Sequence, residues 1–256
     1  MIVPDLVVVA VLRPSILLPG GDATSLMLFR WIHFLAGITW IGLLYFFNLV
    51  NVPFMKEMDA ATKGKIVPSM MPRAMWWFRW AAVITVLAGL AYFGKIVGVD
   101  AANGRASYAD ASSGHVFMTF FGIWTLVFVL IFVCIMVVKI NKGPVLATIV
   151  IILVALGAYL FLDMNEHGWE SNRLLSIGIG GGLGWIMMLN VWGIIWRMNK
   201  KIINWTRDFA KNGTPIPPES PALARMAFLA SRTNAWLSIP MLFFMAAASH
   251  YPMFGR

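Results

Sequence analysis

The sequence predicts an all-α integral membrane protein, a bundle of about six transmembrane helices. Of its 256 residues, 60% are hydrophobic and 12% are charged, whereas charged residues make up about 25% of a typical soluble domain. The mean hydropathy is +0.78. Apolar segments recur along the chain, each close to the roughly 20 residues that cross a bilayer core as a helix. This composition excludes a water-soluble globule, which needs far more polar surface.

Six apolar segments qualify as transmembrane helices. They are Leu26–Val50, Met75–Val97, His115–Val138, Pro144–Leu162, Leu174–Arg197 and Ala222–Tyr251. Residues 26–256 are therefore predicted to form one polytopic bundle. Residues 1–25 are predicted to be an N-terminal segment at the membrane interface, with a short extra helix as the alternative. A signal peptide is not expected there, because the segment has no basic start.

The longest predicted loops are 51–74, 98–114 and 198–221. Residues 198–211 interleave lysines with large apolar residues, which indicates an amphipathic interfacial helix. The fifth span contains two overlapping G-x3-G spacings, Gly178 with Gly182 and Gly180 with Gly184, which favour close helix packing. Asn48 and Asn190 lie deep in their spans and are expected to find partners on neighbouring helices.

Most basic residues fall in the loops of one membrane face. They are Lys56, Lys63, Lys65, Arg73, Lys139, Lys142, Arg197, Lys200, Lys201, Arg207 and Lys211. Because cytoplasmic loops carry an excess of Lys and Arg, this face is predicted to be cytoplasmic and both termini periplasmic, in a bacterial inner membrane. This rule accounts for the net charge of +9, so no nucleic-acid partner is expected. The expected partner of the protein surface is membrane lipid.

All four histidines of the chain fall at the predicted outer face. His33 and His115 lie in the first and third spans, His167 in the loop after the fourth, and His250 at the end of the last. Neutral imidazole is a common ligand of haem iron. We therefore hypothesise one or two b-type haems near the outer face. The pair His33 and His115 is favoured, and His167 with His250 is the second choice.

Small residues support this hypothesis. Gly37 follows His33 by four residues, and Gly122 follows His115 by seven, so each lies on the same helical face as its histidine. A flat macrocycle beside a helix needs such a gap. Arg30, Arg105 and Arg173 lie on the same membrane face as candidate partners of the haem propionates. The single cysteine, Cys134, rules out covalent attachment through a CxxCH motif in this sequence.

Two simpler interpretations stay open. Small residues also mark ordinary helix contacts in membranes, and histidines at an interface often bond to loops or lipid headgroups. A mononuclear site is a further alternative, because imidazole also suits copper, iron and zinc.

Three segments resemble the membrane domain of the cytochrome-c-linked urate oxidase (urate hydroxylase) family. They are RWIHFLAGITWIGLL at 30–44, NVPFMKEMDAATKGKIVPSMMPRAMWWFRW at 51–80 and SRTNAWLSIPMLFFMAAASHYP at 231–252. The resemblance implies oxidation of urate to 5-hydroxyisourate, with electrons passing to a fused cytochrome c domain. It also maps the family's histidines onto His33, with Gly37 and Trp40, and onto His250.

The leading functional hypothesis is therefore an inner-membrane redox protein that binds haem b near the periplasmic face. Because this sequence carries no CxxCH motif, a separate cytochrome c or a larger membrane redox complex is the expected partner, with urate as the candidate substrate. The alternative is a non-catalytic scaffold subunit of a respiratory or photosynthetic complex. A transporter is disfavoured, since the charges cluster at helix ends rather than at the membrane midplane.

Overall fold

The computed structural model describes residues 20–254, and within them all regular secondary structure is helical. The elements are α1 Gly21–Tyr45, a π-helical turn Phe46–Asn51, α2 Val52–Glu57, α3 Ala60–Gly104, α4 Ser113–Met136, α5 Gly143–Asp163, α6 Asn172–Asn190, a second π-helical turn Val191–Ile195, α7 Trp196–Asn212 and α8 Ser220–His250. The predicted all-helical membrane bundle is confirmed. Residues 1–19 of the predicted interfacial segment lie outside the described residues, and residues 21–25 begin α1.

Each of the six predicted spans lies within these helices except for at most two residues at its end. The first span includes the first π-helical turn, and the fifth runs through the second turn into α7. Five helices, counted across the π-helical turns, are long and apolar enough to cross a membrane. The sixth span corresponds to α8, which has 31 residues and continues through Pro240. It is more polar than the others because it carries Arg232, Thr233 and Asn234. Asn234 finds hydrogen-bond partners inside the bundle.

Helix α6 lies at the centre of the bundle and packs against α3, α4, α5 and α8. Its glycines make this possible. A Cβ atom at Gly178 would overlap the ring of Phe161, and one at Gly182 would overlap the indole of Trp124. The Trp124 Nε1–H donates a 3.0 Å hydrogen bond to the carbonyl of Gly178. The glycine spacing therefore serves close packing, as predicted.

Two helices extend well beyond the predicted spans. Helix α3 has 45 residues, which is roughly 67 Å at 1.5 Å per residue and more than the approximately 30 Å hydrocarbon core. Its first turn is capped by the Asp59 carboxylate, which accepts from the backbone N–H of Thr62 at 2.8 Å. Beside it runs α7 in the opposite direction, and a Cβ at Gly64 would lie 3.3 Å from that of Ala210.

Much of the predicted loops 51–74 and 198–221 is therefore helical. The prediction failed there because hydropathy reports where a chain leaves the membrane, not where its helix ends. The amphipathic segment 198–211 is helical as expected, within α7. Its buried residues are Met198 and Ile203, so its apolar side contributes to the bundle instead of lying alone at the interface.

Asparagines connect α8 to its neighbours. Asn190 of α6 donates to Asn234 Oδ1 at 2.8 Å, and Asn234 donates back to the carbonyl of Met187 at 3.0 Å. Asn48, in the first π-helical turn, donates to the Ser231 hydroxyl at 2.9 Å. The expectation that Asn48 and Asn190 bond across helices is confirmed.

Contacts between helix ends bring His115, His167 and His250 to one end of the bundle. Asn172, in the first turn of α6, donates to the carbonyls of Ala247 and Ala248 near the end of α8. Ser171 donates to Asp100 near the end of α3. His115, at the start of α4, bonds to the carbonyl of Met164 after α5. We call this the outer end, and the opposite end, which carries most of the basic residues, the basic end.

We predict that Gly182→Ala destabilises the protein by about 1–3 kcal/mol, the usual range for overpacking a filled site. The added methyl group has to displace the buried Trp124 indole. The matched control is Gly122→Ala, because a Cβ at that helical glycine meets no other atom within 4 Å.

Both substitutions raise helix propensity by about 1 kcal/mol, so that contribution cancels in the comparison. Thermal unfolding in detergent measures the difference. Equal melting temperatures for the two variants would contradict the packing described for α6.

Candidate functional site

A cavity of about 350 Å³ lies in the outer half of the bundle. Helices α1, α3, α6 and α8 form its walls, and its lining is mostly apolar. Several glycines bring helix backbone to its surface, namely Gly37, Gly42, Gly89, Gly181 and Gly184. Toward the basic end, α1 and α8 are joined by a 2.9 Å hydrogen bond between the hydroxyls of Tyr45 and Ser238. The cavity therefore lies where α1 and α8 separate, between their hydrogen-bonded contact and the outer end.

His33 projects from α1 into this cavity with a defined orientation. Its Nδ1 lies 2.8 Å from the carbonyl oxygen of Thr85 in α3. A carbonyl only accepts hydrogen bonds, so Nδ1 carries the proton and Nε2 keeps its lone pair. Nε2 has no hydrogen-bond partner among residues 20–254. An imidazole fixed through one nitrogen and free at the other is the usual arrangement of a metal-ligating histidine.

Gly89 makes room for the His33 ring. A Cβ at this position would lie 2.9 Å from His33 Nδ1 and 3.0 Å from Cε1, closer than real Cβ contacts. Thr85 and Gly89 are four residues apart in α3 and thus share a helical face. One provides the carbonyl that orients the imidazole, and the other provides the space that the ring occupies.

Two further polar groups lie at the cavity. The Trp40 indole is buried, with 1% of its surface exposed, and its Nε1–H has no hydrogen-bond partner. Such an unsatisfied buried donor is costly unless a ligand pairs with it. Arg30 lies one turn before His33, toward the outer end, with its guanidinium 5.6 Å from the Phe34 ring. Within the described part of the chain it forms no ion pair.

The cavity opens sideways between α1 and α8. Phe34, Ile38 and Leu242 line it and are also exposed, Ile38 to 72%. In a membrane these side chains face lipid. A ligand dissolved in the hydrocarbon therefore has a lateral path to His33.

The other histidines lie outside this cavity. His115 and His167 contact each other, with ring centroids 5.9 Å apart. His115 Nε2 donates to the carbonyl of Met164 at 2.7 Å, and His167 Nδ1 lies 3.0 Å from the carboxylate of the buried Glu170. His250 is exposed at the end of α8.

Of the predicted site residues, Arg30, His33 and Gly37 thus line the cavity together. Trp40, on the same helical face, also lines it. It places His115 beside His167 instead of beside His33. Gly122 is exposed and borders no other helix. Haem ligation by these histidines stays a prediction.

Residues from other helices complete the site and were not identified from the sequence. They are Thr85, Gly89, Gly181, Gly184, Met241 and Met245. Residue spacing identifies small residues only on each histidine's own helix, whereas much of the free space comes from glycines on helices that pack against it. Only the spacing of Thr85 and Gly89 offered a local signal, and it is a common one.

The donor set of the cavity suits a flat, largely apolar ligand with one ligated metal. It offers an imidazole nitrogen, the thioethers of Met241 and Met245, and an indole N–H. The open alternative of a mononuclear site has less support. Among the described residues no three His, Cys, Asp or Glu side chains cluster closely enough to hold a metal ion.

The loop near His115 is fixed by Glu170, whose carboxylate accepts from the backbone N–H groups of His167 at 2.8 Å and Gly168 at 3.1 Å. We predict that Glu170→Gln speeds hydrogen exchange of these two amides at least tenfold, since bonds to a charged acceptor contribute about 1.5–3 kcal/mol. Glu166→Gln, at an exposed neighbour, is the control. Unchanged exchange in the Glu170 variant, measured by mass spectrometry, would show that the carboxylate does not hold the loop.

Comparisons with known proteins identify the family. The sequence model of the family described as Urate oxidase N-terminal matches residues 23–255, which includes all the residues that line the cavity. The comparisons with curated proteins and with solved structures gave no match. The family match covers nearly the whole chain and agrees with the resemblance of the three segments around His33, at 51–80 and before His250. The chain belongs to the urate oxidase N-terminal family and is a urate-oxidase-like membrane protein.

Proposed function

We propose that the chain is a membrane redox domain that binds one b-type haem in the outer cavity, with His33 as an axial ligand, and passes electrons to a cytochrome c. The observation that carries this proposal is the geometry of His33. Its Nδ1–H is held by the Thr85 carbonyl, so its Nε2 lone pair is available within an apolar cavity lined by glycines.

The surroundings of His33 fit a haem. Gly37 brings helix backbone to the cavity surface on the same helix as the imidazole, and Gly181 does so on α6. Arg30 forms no ion pair among residues 20–254 and lies from His33 toward the outer end, where a propionate would emerge. The Trp40 N–H supplies a donor that lacks a protein partner.

Candidates for a second ligand lie on α8. Met241 and Met245 both line the cavity, and a thioether together with an imidazole would hold a haem and raise its reduction potential. His115 does not line this cavity. We therefore take the second ligand from α8 in place of the pair His33 and His115.

Membership of the urate oxidase family supports urate as the substrate. Conversion of urate to 5-hydroxyisourate removes two electrons and two protons, while water supplies the added oxygen. The haem would supply one-electron transfer, and the acceptor would take up one electron at a time, as a cytochrome c does. The chain itself would orient the group through His33 and exclude water with its apolar walls.

The distribution of basic residues supports an orientation. The basic end carries the lysine-rich segments and, by the positive-inside rule, would face the cytoplasm. The outer cavity would then face the periplasm of a bacterial cell, where soluble cytochromes c are found.

The first test is a reduced-minus-oxidised absorption spectrum of the purified protein, with haem quantified as the pyridine haemochrome. We expect about one b-type haem per chain. His33→Ala should abolish binding, whereas His115→Ala should retain it, since His115 lies outside the cavity.

Two outcomes would contradict this proposal. Loss of haem in His115→Ala with an unchanged melting temperature would restore the pair His33 and His115 and exclude a ligand from α8. Absence of haem from well-folded wild-type protein would instead favour the scaffold interpretation, and co-purification with a larger complex would then be expected.

A second prediction concerns the glycine beside His33. Gly89→Ala should lower haem content or shift the haem absorption bands, because the methyl group pushes the imidazole away from the Thr85 carbonyl. Gly98→Ala in the same helix is the control, since a Cβ there meets nothing within 4 Å. Identical spectra for the two variants would show that the orientation of His33 does not depend on this contact.

Catalysis is tested separately. Haem-loaded protein with added oxidised cytochrome c should reduce two cytochromes for each urate consumed, and His33→Ala should not. If the protein binds haem but does not turn over urate, urate is not the substrate, and the chain is an electron-transfer protein.

A further inference from the structure

We propose that a second site, on the other side of the molecule, binds an anionic phospholipid. The site is a groove of about 870 Å³ between α4 and the continuous rod of α6, its π-helical turn and α7. Phe128 and Leu189 lie toward its apolar end, and Arg197, Lys200 and Lys201 toward its basic end. It shares no lining residue with the outer cavity.

The groove follows a single stripe along the rod. Leu189, Gly193, Arg197, Lys200 and Asn204 succeed one another at intervals of three or four residues, so they share one helical face. Along this stripe the side chains change from apolar to basic. A phospholipid changes in the same direction, from apolar acyl chains to a negatively charged phosphate.

The dimensions match one leaflet. Leu189 and Lys200 are separated by eleven residues, which corresponds to roughly 16 Å along a helix. One leaflet, including its headgroups, is about 20 Å thick. Gly193 lets the Phe128 ring lie against the rod and form the apolar wall of the groove, because a Cβ there would lie 3.3 Å from that ring.

The three cations at the basic end of the groove form no ion pair with the described part of the chain. Arg197, Lys200 and Lys201 are exposed, and the ion pairs formed among residues 20–254 involve other side chains. No acidic residue lines the groove. Basic pockets between transmembrane helices at this depth recognise anionic headgroups.

Tryptophans reinforce the interfacial position of the groove. Trp192 and Trp196 line it, and indoles concentrate at the level of lipid headgroups. The Arg79 guanidinium lies 4.1 Å from the centre of the Trp196 ring and 5.4 Å from that of Trp192, which holds both rings in place. A soluble anion would use the cations but leave the apolar half of the groove empty, so the geometry favours a lipid.

The test uses native mass spectrometry of the full chain with added phosphatidylglycerol or phosphatidylcholine. We expect retention of phosphatidylglycerol and weak binding of phosphatidylcholine. The triple variant R197Q/K200Q/K201Q should bind phosphatidylglycerol on the order of 100-fold more weakly, given the contribution of each juxtamembrane cation. The control K63Q/K65Q/K211Q removes the same charge outside the groove and should bind as wild type does.

A further variant tests the apolar half. Leu189→Gln places a polar side chain at the apolar end of the groove without changing charge and should also weaken phosphatidylglycerol binding, at a melting temperature close to that of wild type. Equal binding of both lipids would overturn the proposal. So would equal losses in the two triple variants, or full displacement of the lipid by inorganic phosphate, which would indicate a soluble-anion site.

Discussion

The bundle depends on the close approach of α6 to its neighbours. In a membrane, helices gain little from burying apolar surface against one another, because lipid is equally apolar, and packing contacts decide which helices associate. Gly178 and Gly182 let Phe161 and Trp124 reach the backbone of α6. On a neighbouring face of the same helix, Gly181 and Gly184 border the outer cavity. One glycine-rich segment thus allows tight packing on one face and leaves free space on the next.

Polar contacts determine where that space lies. The hydroxyls of Tyr45 and Ser238, and the side chains of Asn48 and Ser231, join α1 to α8 toward the basic end. Inside a membrane such bonds are retained because water does not compete for them. Nearer the outer end, α1 and α8 share no comparable bond, and the cavity occupies the resulting gap. The histidine that faces this gap is held from α3, not from α8.

The sequence was sufficient to predict the six helical segments, five of which are long and apolar enough to cross a membrane, and the packing role of the α6 glycines. These features rest on local patterns, namely hydropathy and residue spacing. The expected partner of His33 did not follow from such patterns. Whether His115 meets His33 or His167 depends on how α4 rotates and where the loop after α5 folds, and a single sequence contains no direct record of either.

The sideways opening of the outer cavity has a practical consequence. Because Phe34, Ile38 and Leu242 face the hydrocarbon, entry through this opening is governed by how strongly a molecule partitions into the bilayer, not by its concentration in water. Detergents with alkyl chains share that partitioning and compete for the same opening once the membrane is dissolved. Extraction directly into lipid nanodiscs, without a detergent step, keeps the opening of the cavity in contact with lipid.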